Sequence, residues 1–333
     1  MMRNVSYLTS SYDEKIDRIK AIDAPLNFIF ITDQHNEFRH STVEAVESMN
    51  YILERCPEIS CVISGGDIGN DYDPLPEGFR KSVRDMMDAL YRLPVPVHCC
   101  IGNHDDYLGN CIDHGWDTRN AILPDEMHKL CMKYNPTEKN YYYSDIDTAE
   151  GGYRLVFLNS SDKPFYTDEN GQYPFGWRLE FSNEQADWFE KEALNTDRRI
   201  IVFCHSPLSN AGMYGSDGLP DGIKPYDDTL NAPRVYYHAK NCKNVIAIVV
   251  GHVHYDNVHF DGDLPTVSTL SAYRARWDHG CPERVIGTSS ETAFDVISVK
   301  GNRMFLTRFG AGIDRELVLL RTVKNNWTRA YTE

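Results

Sequence analysis

The chain alternates short apolar runs with segments of helical periodicity, and this alternation restricts its possible folds more than any other feature. LNFIFIT (26–32), ISCVIS (59–64) and PVHCCI (96–101) are continuous apolar runs with the length of buried strands. Between them, residues 41–55 and 78–93 place apolar side chains at helical spacing. Strand, helix, strand, helix, strand is the order of parallel βαβ units, so we expect an α/β fold.

The second half of the chain repeats the pattern. YRLVFLNS (153–160), RIIVFC (199–204) and NVIAIVV (244–250) have the composition of buried strands. Between the first two, Ser182 and Gln185 form a capping box that predicts the start of a helix running to Leu194.

The tail has alternating polarity and predicts antiparallel strands in TVSTL (266–270), AFDVISV (293–299) and RMFLTRF (303–309). Gly301-Asn302 is suited to the turn between the last two.

Three stretches have weak periodicity and are predicted to be long loops over the carboxyl edge of the sheets: residues 106–150, 161–181 and 206–240. Loops at such an edge commonly determine substrate specificity. Residues 1–24 are polar and are interpreted as an N-terminal arm, a helix or a loose segment. Residues 25–333 are then expected to form a single domain.

The predicted strands end in polar clusters. Asp33, Asp67 and Asn103 follow the first three strands, and ligands of parallel sheets bind at the carboxyl ends of strands. Asp33-x-His35 and His252-x-His254 share a spacing that, in an extended segment, directs both side chains to one face.

The candidate ligands combine nitrogen and oxygen donors without a thiolate. This chemistry suits Mn, Fe, Zn or Ni better than Ca or Mg. Seven ligands exceed the need of one ion, so we expect two divalent ions about 3.5–4 Å apart that share a carboxylate. The seven are Asp33, His35, Asp67, Asn103, His205, His252 and His254.

Each candidate also has a structural explanation when it is taken alone. Asp33 is suited to cap a helix, and Asp67 is suited to the turn after Gly65-Gly66. A lone histidine such as His205 is usually structural. The occurrence of all the clusters in order favours the metal site over these separate explanations.

The series of clusters resembles the calcineurin-like metallophosphoesterases over residues 26 to about 256. The matching motifs, in the order of the family, are Asp33-x-His35, Gly66-Asp67, Gly102-Asn103-His104-Asp105, His205 and Gly251-His252-x-His254. The resemblance implies a four-layer α/β/β/α sandwich of two mixed β-sheets flanked by helices.

The resemblance also implies a division of the ligands. Asp33, His35 and His254 would bind one metal. Asn103, His205 and His252 would bind the other, with Asp67 between the two. His104 would contact the phosphate and assist the leaving group instead of binding a metal.

The expected chemistry is hydrolysis of a small phosphodiester or phosphomonoester. Two cations neutralise the anionic ester and acidify a bridging water, so we expect direct attack by hydroxide without a phosphoenzyme. His104 is then expected to act as the acid for the leaving oxygen.

One motif departs from the protein Ser/Thr phosphatases that the family includes. They continue the Gly-Asp motif with a further Asp and an Arg, whereas Asp67 is followed here by Ile68-Gly69-Asn70-Asp71. This difference disfavours a phosphoprotein substrate. It also leaves Asp71 and Asp105 as alternative carboxylates to orient His104.

Charge and cysteine content restrict the partners. A formal net charge of -15 disfavours nucleic acid, whose phosphates are neutralised by Lys and Arg, but permits a small phosphorylated substrate beside metal cations. No run approaches the roughly 20 apolar residues of a membrane span. The nine cysteines are odd in number and several lie in apolar, strand-like runs, which favours a reducing, cytoplasmic location without disulfides.

Two other functions compete with a small-molecule phosphoesterase. A nuclease would use the same metal centre but would need a basic groove. A non-catalytic scaffold would keep the fold and lose the ligands. No substrate-binding residue or oligomeric state is assigned from the sequence. The weaker candidates for substrate contact are Tyr107, Asn159, Arg178, Tyr236, Arg274, Arg276, Trp277 and residues 308–312.

Overall fold

Two mixed sheets form the centre of the protein in a computed structural model that describes residues 6–38, 42–209, 231–273, 281–285 and 287–322. The strands of the first sheet, sheet A, are β1 (Leu26–Ile31), β2 (Ile59–Ser64), β3 (Val97–Cys99), β10 (Ala293–Lys300), β11 (Arg303–Gly310) and β12 (Arg315–Val318). The strands of the second sheet, sheet B, are β4 (Tyr142–Thr148), β5 (Gly151–Leu158), β6 (Arg199–Cys204), β7 (Val245–Val250), β8 (Asn257–Asp261) and β9 (Leu264–Ser268).

Helices flank the two sheets. They are α1 (Ser6–Ile22), α2 (Glu44–Leu53), α3 (Pro76–Leu90), α4 (Leu108–Asp113), α5 (Pro124–Cys131), α6 (Asn183–Trp188) and α7 (Ala232–Asn241). Shorter turns are 3₁₀ helices at Thr118–Asn120 and Leu320–Thr322, and a π-helical turn at Phe189–Ala193. Within the described ranges, no helix has both the length and the apolar character needed to cross a bilayer.

In each sheet the parallel strands are neighbours, so their carboxyl ends lie side by side at one edge of that sheet. Sheet A has the order β12-β11-β10-β1-β2-β3, in which β1, β2 and β3 are parallel. Sheet B has the order β4-β5-β6-β7-β9-β8, in which β5, β6, β7 and β9 are parallel. The six strands predicted from continuous apolar runs are confirmed to within two residues at each end. The α/β/β/α sandwich is confirmed as well.

Aromatic side chains fill the space between the sheets. Phe28 of β1 meets Phe203 of β6 edge to face, with ring centroids 5.5 Å apart, and Phe157 of β5 stacks on Phe203 at 5.4 Å. All three side chains are fully buried. Burial of this apolar surface supplies the main driving force that holds one sheet on the other.

The helices cover the outer faces with the apolar stripes expected from their periodicity. On α3, Val83, Met86 and Leu90 are fully buried. The predicted cap of α6 is confirmed, because the Ser182 hydroxyl accepts the Gln185 N–H at 3.1 Å.

The N-terminal helix α1 packs against β10 and β11. Its Tyr12, Ile16 and Ile19 are buried in the same apolar cluster as sheet A, and Tyr12 meets Phe309 at 5.0 Å. The division of the chain at residue 24 into an arm and a single domain remains a proposal.

Two predictions about the connections were wrong. The segment 106–150 is not one loop, since it contains α4, α5 and the edge strand β4. The helices are only six and eight residues long, too short to show a periodicity, and β4 is half polar because it lies at an edge. In the described part of 206–240, α7 was missed in the same way.

The tail was also partly misread. TVSTL belongs to β9, which pairs parallel to β7 in sheet B and antiparallel to the unpredicted strand β8. Only the other two tail strands, β10 and β11, form the expected antiparallel pair around Gly301. Strand direction depends on long-range pairing, which local alternation of polarity does not encode.

Candidate metal centre

The carboxyl ends of strands from both sheets meet at one edge of the sandwich. Backbone hydrogen bonds join the loops there: Asp33 N–H donates to the Gly66 carbonyl and Gly251 N–H donates to the His205 carbonyl, each at 2.9 Å. The loop after β1 is therefore held to the loop after β2, and the loop after β6 to the loop after β7, before any side chain is considered.

Glycines make this close approach possible. Gly66 has φ +95°, and a Cβ there would lie 2.7 Å from the Gly102 nitrogen. A Cβ on Gly102 would lie 2.1 Å from Asp67 Oδ1. Any larger residue at either position would push the loops that carry Asp67 and Asn103 apart.

The backbone at the candidate ligands is strained. Five of the seven have left-handed φ values, a conformation that non-glycine residues seldom adopt and that costs about 1–3 kcal/mol each. The φ values are 53° at Asp33, 39° at His35, 55° at Asp67, 66° at His252 and 63° at His254. The expectation that the two spaced pairs are extended segments was therefore wrong, since both pairs converge through tight turns beyond the strand ends.

The first group of ligand atoms comes from the loops after β1, β2 and β7. Asp33, His35, Asp67 and His254 each offer an atom, and these atoms lie within 4.8 Å of one another. Asp33 Oδ1 is 2.9 Å from His254 Nε2, and His35 Nε2 is 3.7 Å from Asp67 Oδ2.

The second group shares Asp67 with the first. Asp67, His205 and His252 offer atoms within 4.8 Å of one another. Asn103 completes this side, because its Oδ1 lies 3.1 Å from His205 Nε2 and 2.7 Å from His252 Nδ1. All seven residues named from the sequence thus lie together, in two groups joined by one carboxylate.

The chemistry of these groups fits divalent cations. Asp33 and Asp67 are fully buried, and in the described part of the chain their ion-pair partners are all imidazoles, with no Lys or Arg among them. Two buried carboxylates so placed require positive charge nearby. Burial lowers the pKa of His35 and of His252 to about 3, which keeps both rings in the neutral form that binds metals.

His104 lies beside the two groups and contacts Asp71. Its Nδ1 is 2.6 Å from Asp71 Oδ2, and Asp71 also accepts a hydrogen bond from Asn110 at 2.6 Å. Ligand-type atoms of His35, Asp71 and His104 also lie within 4.8 Å of one another. Burial opposes protonation of His104, but Asp71 and Asp67 outweigh it and raise the pKa of His104 to about 10.

Asp105 has a different environment. Its Oδ2 accepts the N–H groups of Asp67 at 3.0 Å and Gly102 at 2.7 Å, and its Oδ1 accepts the Ile68 N–H at 2.7 Å. It is fully buried and hydrogen-bonds to the backbone instead of the His104 ring. Of the two carboxylates that the sequence left open, Asp71 is the one in contact with the imidazole.

Most of the weaker candidates for substrate contact are engaged elsewhere. Tyr107 is buried and donates its hydroxyl to the Asp73 carbonyl at 2.5 Å, and Asn159 is buried. Arg308 is fully buried in ion pairs with Asp295 and Asp256. Arg178 pairs with Glu180 at 2.6 Å, and Tyr236 donates to Asp261 at 2.8 Å. Arg274, Arg276 and Trp277 lie outside the described residues.

Sequence reasoning missed the aromatic residues around His104. Trp177 lies 4.6 Å from the His104 ring and Tyr72 lies 6.3 Å from it, between ring centroids. The aromatic content of residues 161–181 was visible in the sequence. Nothing in it indicated which ring reaches the site.

Comparison with known proteins agrees with this geometry. Residues 26–256 match the sequence model of the calcineurin-like phosphoesterases. The chain is 25% identical over 234 residues to a manganese-dependent ADP-ribose/CDP-alcohol diphosphatase from Bos taurus. That alignment covers 57% of this chain and 65% of the bovine protein, slightly less than two thirds of its length.

Solved structures share the fold. A dimetal phosphatase from Danio rerio matches with a TM-score of 0.58 and 15% identity, over 89% of this chain and 100% of that chain. GAP50, the anchor in the inner membrane complex of Plasmodium, matches with a TM-score of 0.54 and 15% identity, over 89% of each chain. At these identities the likeness concerns the fold alone.

Proposed function

The chain belongs to the calcineurin-like phosphoesterase family. From that premise we propose that it is a hydrolase of phosphoric ester bonds, which hydrolyses a small phosphodiester or phosphomonoester with two divalent metal ions. The observation that carries the proposal is the pair of ligand groups joined by Asp67.

The proposed ligand sets follow the two groups. Asp33, His35 and His254 would hold one ion, Asn103, His205 and His252 would hold the other, and Asp67 would serve both. The manganese dependence named for the bovine relative favours Mn among Mn, Fe, Zn and Ni. Two bound cations of this kind would neutralise the phosphate oxygens and supply a nucleophile from water near neutral pH.

His104 is proposed as the acid that serves the leaving group. Its Nδ1 donates to Asp71, so Nε2 is the atom left to hold a proton for the leaving oxygen. Nε2 lies 3.9 Å from Asp67 Oδ2, on the side of the ligand groups. Asp71 fixes the ring orientation and tautomer, and Asn110 fixes Asp71.

Asp105 is proposed as a positioning residue instead of a catalytic one. Its three backbone hydrogen bonds support a role in holding the turns after β2 and β3 in register. Those turns carry Asp67 and Asn103, so Asp105 would act on the metal ligands through the backbone.

A small substrate is favoured over nucleic acid. The net charge of -15 opposes contact with a polyanion. Lys163 is buried in an ion pair with Asp106, two residues after His104, and is not available to a phosphate backbone. ADP-ribose and CDP-alcohols, which the name of the bovine relative gives as its substrates, are small phosphorylated molecules and support the same class here.

The experiment compares p-nitrophenyl phosphate with bis-p-nitrophenyl phosphate, each with added Mn and with chelator. Asn103→Ala and His104→Ala remove one proposed ligand and the proposed acid. His128→Ala is the matched control, because His128 lies on α5 and its side chain contacts only the Thr137 carbonyl among the hydrogen bonds of the described residues. Bound metal is measured by elemental analysis in parallel.

We expect Mn-dependent turnover that is lost in Asn103→Ala and kept in the control. His104→Ala should lose less of it, because p-nitrophenolate leaves without a proton. The preferred ester would then define the substrate class. Protein that binds no Mn and hydrolyses neither ester would instead support the scaffold function, and Mn-loaded protein that hydrolyses only polynucleotides would support the nuclease.

A further inference from the structure

The proposed acid has two aromatic side chains close to its ring. The Trp177 ring lies 4.6 Å from the His104 ring at an interplanar angle of 62°, and the Tyr72 ring lies 6.3 Å away at 31°. Tyr72 is 40% exposed, which is unusual for a large aromatic side chain so close to a buried polar centre. The His104 side chain retains 19% of its exposure.

Trp177 is held in place by specific contacts. Its indole N–H donates to Asp113 Oδ2 at 2.8 Å, and its ring covers Gly109, where a Cβ would lie 2.3 Å from the indole. The loop that carries it is anchored by Lys163 Nζ, 2.6 Å from Asp106 Oδ2, with both side chains buried. A buried pair of this kind fixes the loop relative to the segment after His104.

Tyr72 belongs to a second series of aromatic contacts near His104. Its ring lies 4.6 Å from Phe38, and Phe38 meets Tyr273 edge to face at 5.5 Å. Tyr273 in turn lies 6.0 Å from His35. The aromatic rings therefore extend from the ligand groups to the rim beside His104.

We propose that Tyr72 and Trp177 form the leaving-group subsite, and that it takes a leaving group with a planar aromatic ring, either a nucleobase or an aryl group. The proposal rests on the proposed function, because it takes His104 Nε2 as the atom that meets the leaving oxygen. A group attached to that oxygen must pass the two rings. Aromatic faces stabilise another flat ring more than a saturated group of equal size.

The bonds and protons of the step balance. An oxygen from water bonds to phosphorus, and the bond from phosphorus to the leaving oxygen breaks with its electron pair on that oxygen. The leaving oxygen takes the proton from His104 Nε2. The attacking water gives up one proton to solvent, and the ring regains one proton from solvent. The subsite changes how tightly the departing group is bound and oriented, and it adds no reactant.

The experiment uses leaving groups that differ only in aromaticity. Benzyl and cyclohexylmethyl esters have the same carbon skeleton, and both leave as primary alcohols. They are compared as phosphomonoesters and as methyl phosphodiesters, with Mn, through kcat/KM. We expect the wild type to prefer benzyl by at least about threefold, the lower range of an aromatic pair. The ratio of kcat/KM for AMP to kcat/KM for ribose 5-phosphate is then compared with the benzyl preference. This comparison shows whether a nucleobase raises kcat/KM more than an aryl group does.

The variants are Tyr72→Leu and Trp177→Leu, which keep apolar volume and remove the ring. Gly109→Ala is a second route, since it displaces the Trp177 indole without deleting it. We expect each to bring the benzyl preference towards one. Tyr237→Leu is the matched control: Tyr237 is 63% exposed on α7, and we expect the preference to be unchanged. Thermal unfolding confirms that each variant is folded.

Three results would separate the possibilities. Mn-dependent hydrolysis without a benzyl preference in the wild type would overturn the subsite and leave the proposed function intact. Equal slowing of both esters in the variants, with the preference retained, would overturn it too, because the rings would then only support His104. Absence of Mn-dependent turnover of any ester would overturn the proposed function and the subsite together.

Discussion

Asp71 and His104 come from the loops after two neighbouring parallel strands, β2 and β3, and meet with Asp71 Oδ2 2.6 Å from His104 Nδ1. The contact leaves Nε2 directed away from Asp71. Delivery of a proton to a leaving oxygen requires the doubly protonated ring, in which Nδ1 donates to Asp71 and Nε2 carries the second proton.

We expect Asp71→Asn to slow esters with poor leaving groups more than esters with good ones. A p-nitrophenolate leaves without a proton, whereas an alkoxide needs one from His104. Loss of the orienting carboxylate should lower kcat for benzyl methyl phosphate by about 10- to 100-fold, below the full 10²–10⁴ of an acid catalyst. The measurement is kcat for both ester types in both proteins.

An equal decrease in kcat for both leaving groups would contradict the assignment of Asp71 as the carboxylate that orients His104. Such a loss would mean that Asp71 supports the ligand groups and not the acid. Asp147→Asn is a control of similar chemistry, since Asp147 on the edge strand β4 is 86% exposed and pairs with Arg198.

Asp105→Asn should lower both the free energy of unfolding and the content of bound metal. The carboxylate accepts three backbone N–H groups, and an amide nitrogen in its place would face donors with a donor. Leaving such buried groups unsatisfied costs about 1–3 kcal/mol of unfolding free energy. Denaturant unfolding of the metal-free protein measures this change. Unfolding at the wild-type midpoint, with full Mn content, would contradict the positioning role.

Metal removal should destabilise the folded protein. Asp33 and Asp67 are buried, and no Lys or Arg in the described part of the chain pairs with them, so Mn binding to the folded state should raise the unfolding free energy. At a Mn concentration a hundredfold above the dissociation constant, the gain is about 2.7 kcal/mol per site. Thermal unfolding across a Mn titration tests this expectation.

His205→Ala should lower the bound Mn by one ion, and an unchanged stoichiometry would exclude His205 as a ligand.

Arg308 and Asp295 form a buried ion pair across the β10–β11 ladder. They are directly opposite in register, and Arg308 Nε is 2.9 Å from Asp295 Oδ1 with both side chains fully buried. Arg308 also reaches Asp256 Oδ1 at 2.7 Å, two residues after His254. The pair therefore connects the tail strands to the loop that carries two proposed ligands.

Low pH should lower the free energy of unfolding through this ion pair. Burial raises the pKa of Asp295, but Arg308 and Arg315 outweigh burial and hold it below its usual value. A depressed pKa in the folded state gives stability that is present above the unfolded value of about 3.9 and is lost as the pH falls below it. Unfolding free energies from pH 6 down to about pH 3 should fall in the wild type and fall less in Asp295→Asn.

At pH 7 the Asp295→Asn substitution should lower the free energy of unfolding by about 3–5 kcal/mol, since it removes the negative charge that faces the buried Arg308. Asp147→Asn is the matched control. It breaks an ion pair with Arg198 in which the Asp147 side chain is 86% exposed, so its expected cost is about 0–1 kcal/mol. Equal effects of the two substitutions would contradict the structural role of the buried pair.

The sequence by itself determined the elements that depend on neighbours along the chain. Continuous apolar runs indicated β1, β2 and β7, and the spacing on α3 indicated its buried face, because strand and helix periodicities are local. The seven ligand-type residues were identified from the sequence because each follows a strand end, and parallel strands place such ends at one edge.

The tertiary structure alone decided how these pieces meet. Asp71 and not Asp105 contacts His104, because only the pairing of β2 with β3 sets which side chain reaches the ring. The left-handed turns at the ligands and the position of Trp177 over Gly109 likewise come from contacts between segments far apart in the chain. Local patterns specify what a segment forms, whereas packing between distant segments specifies which atoms come within hydrogen-bonding distance.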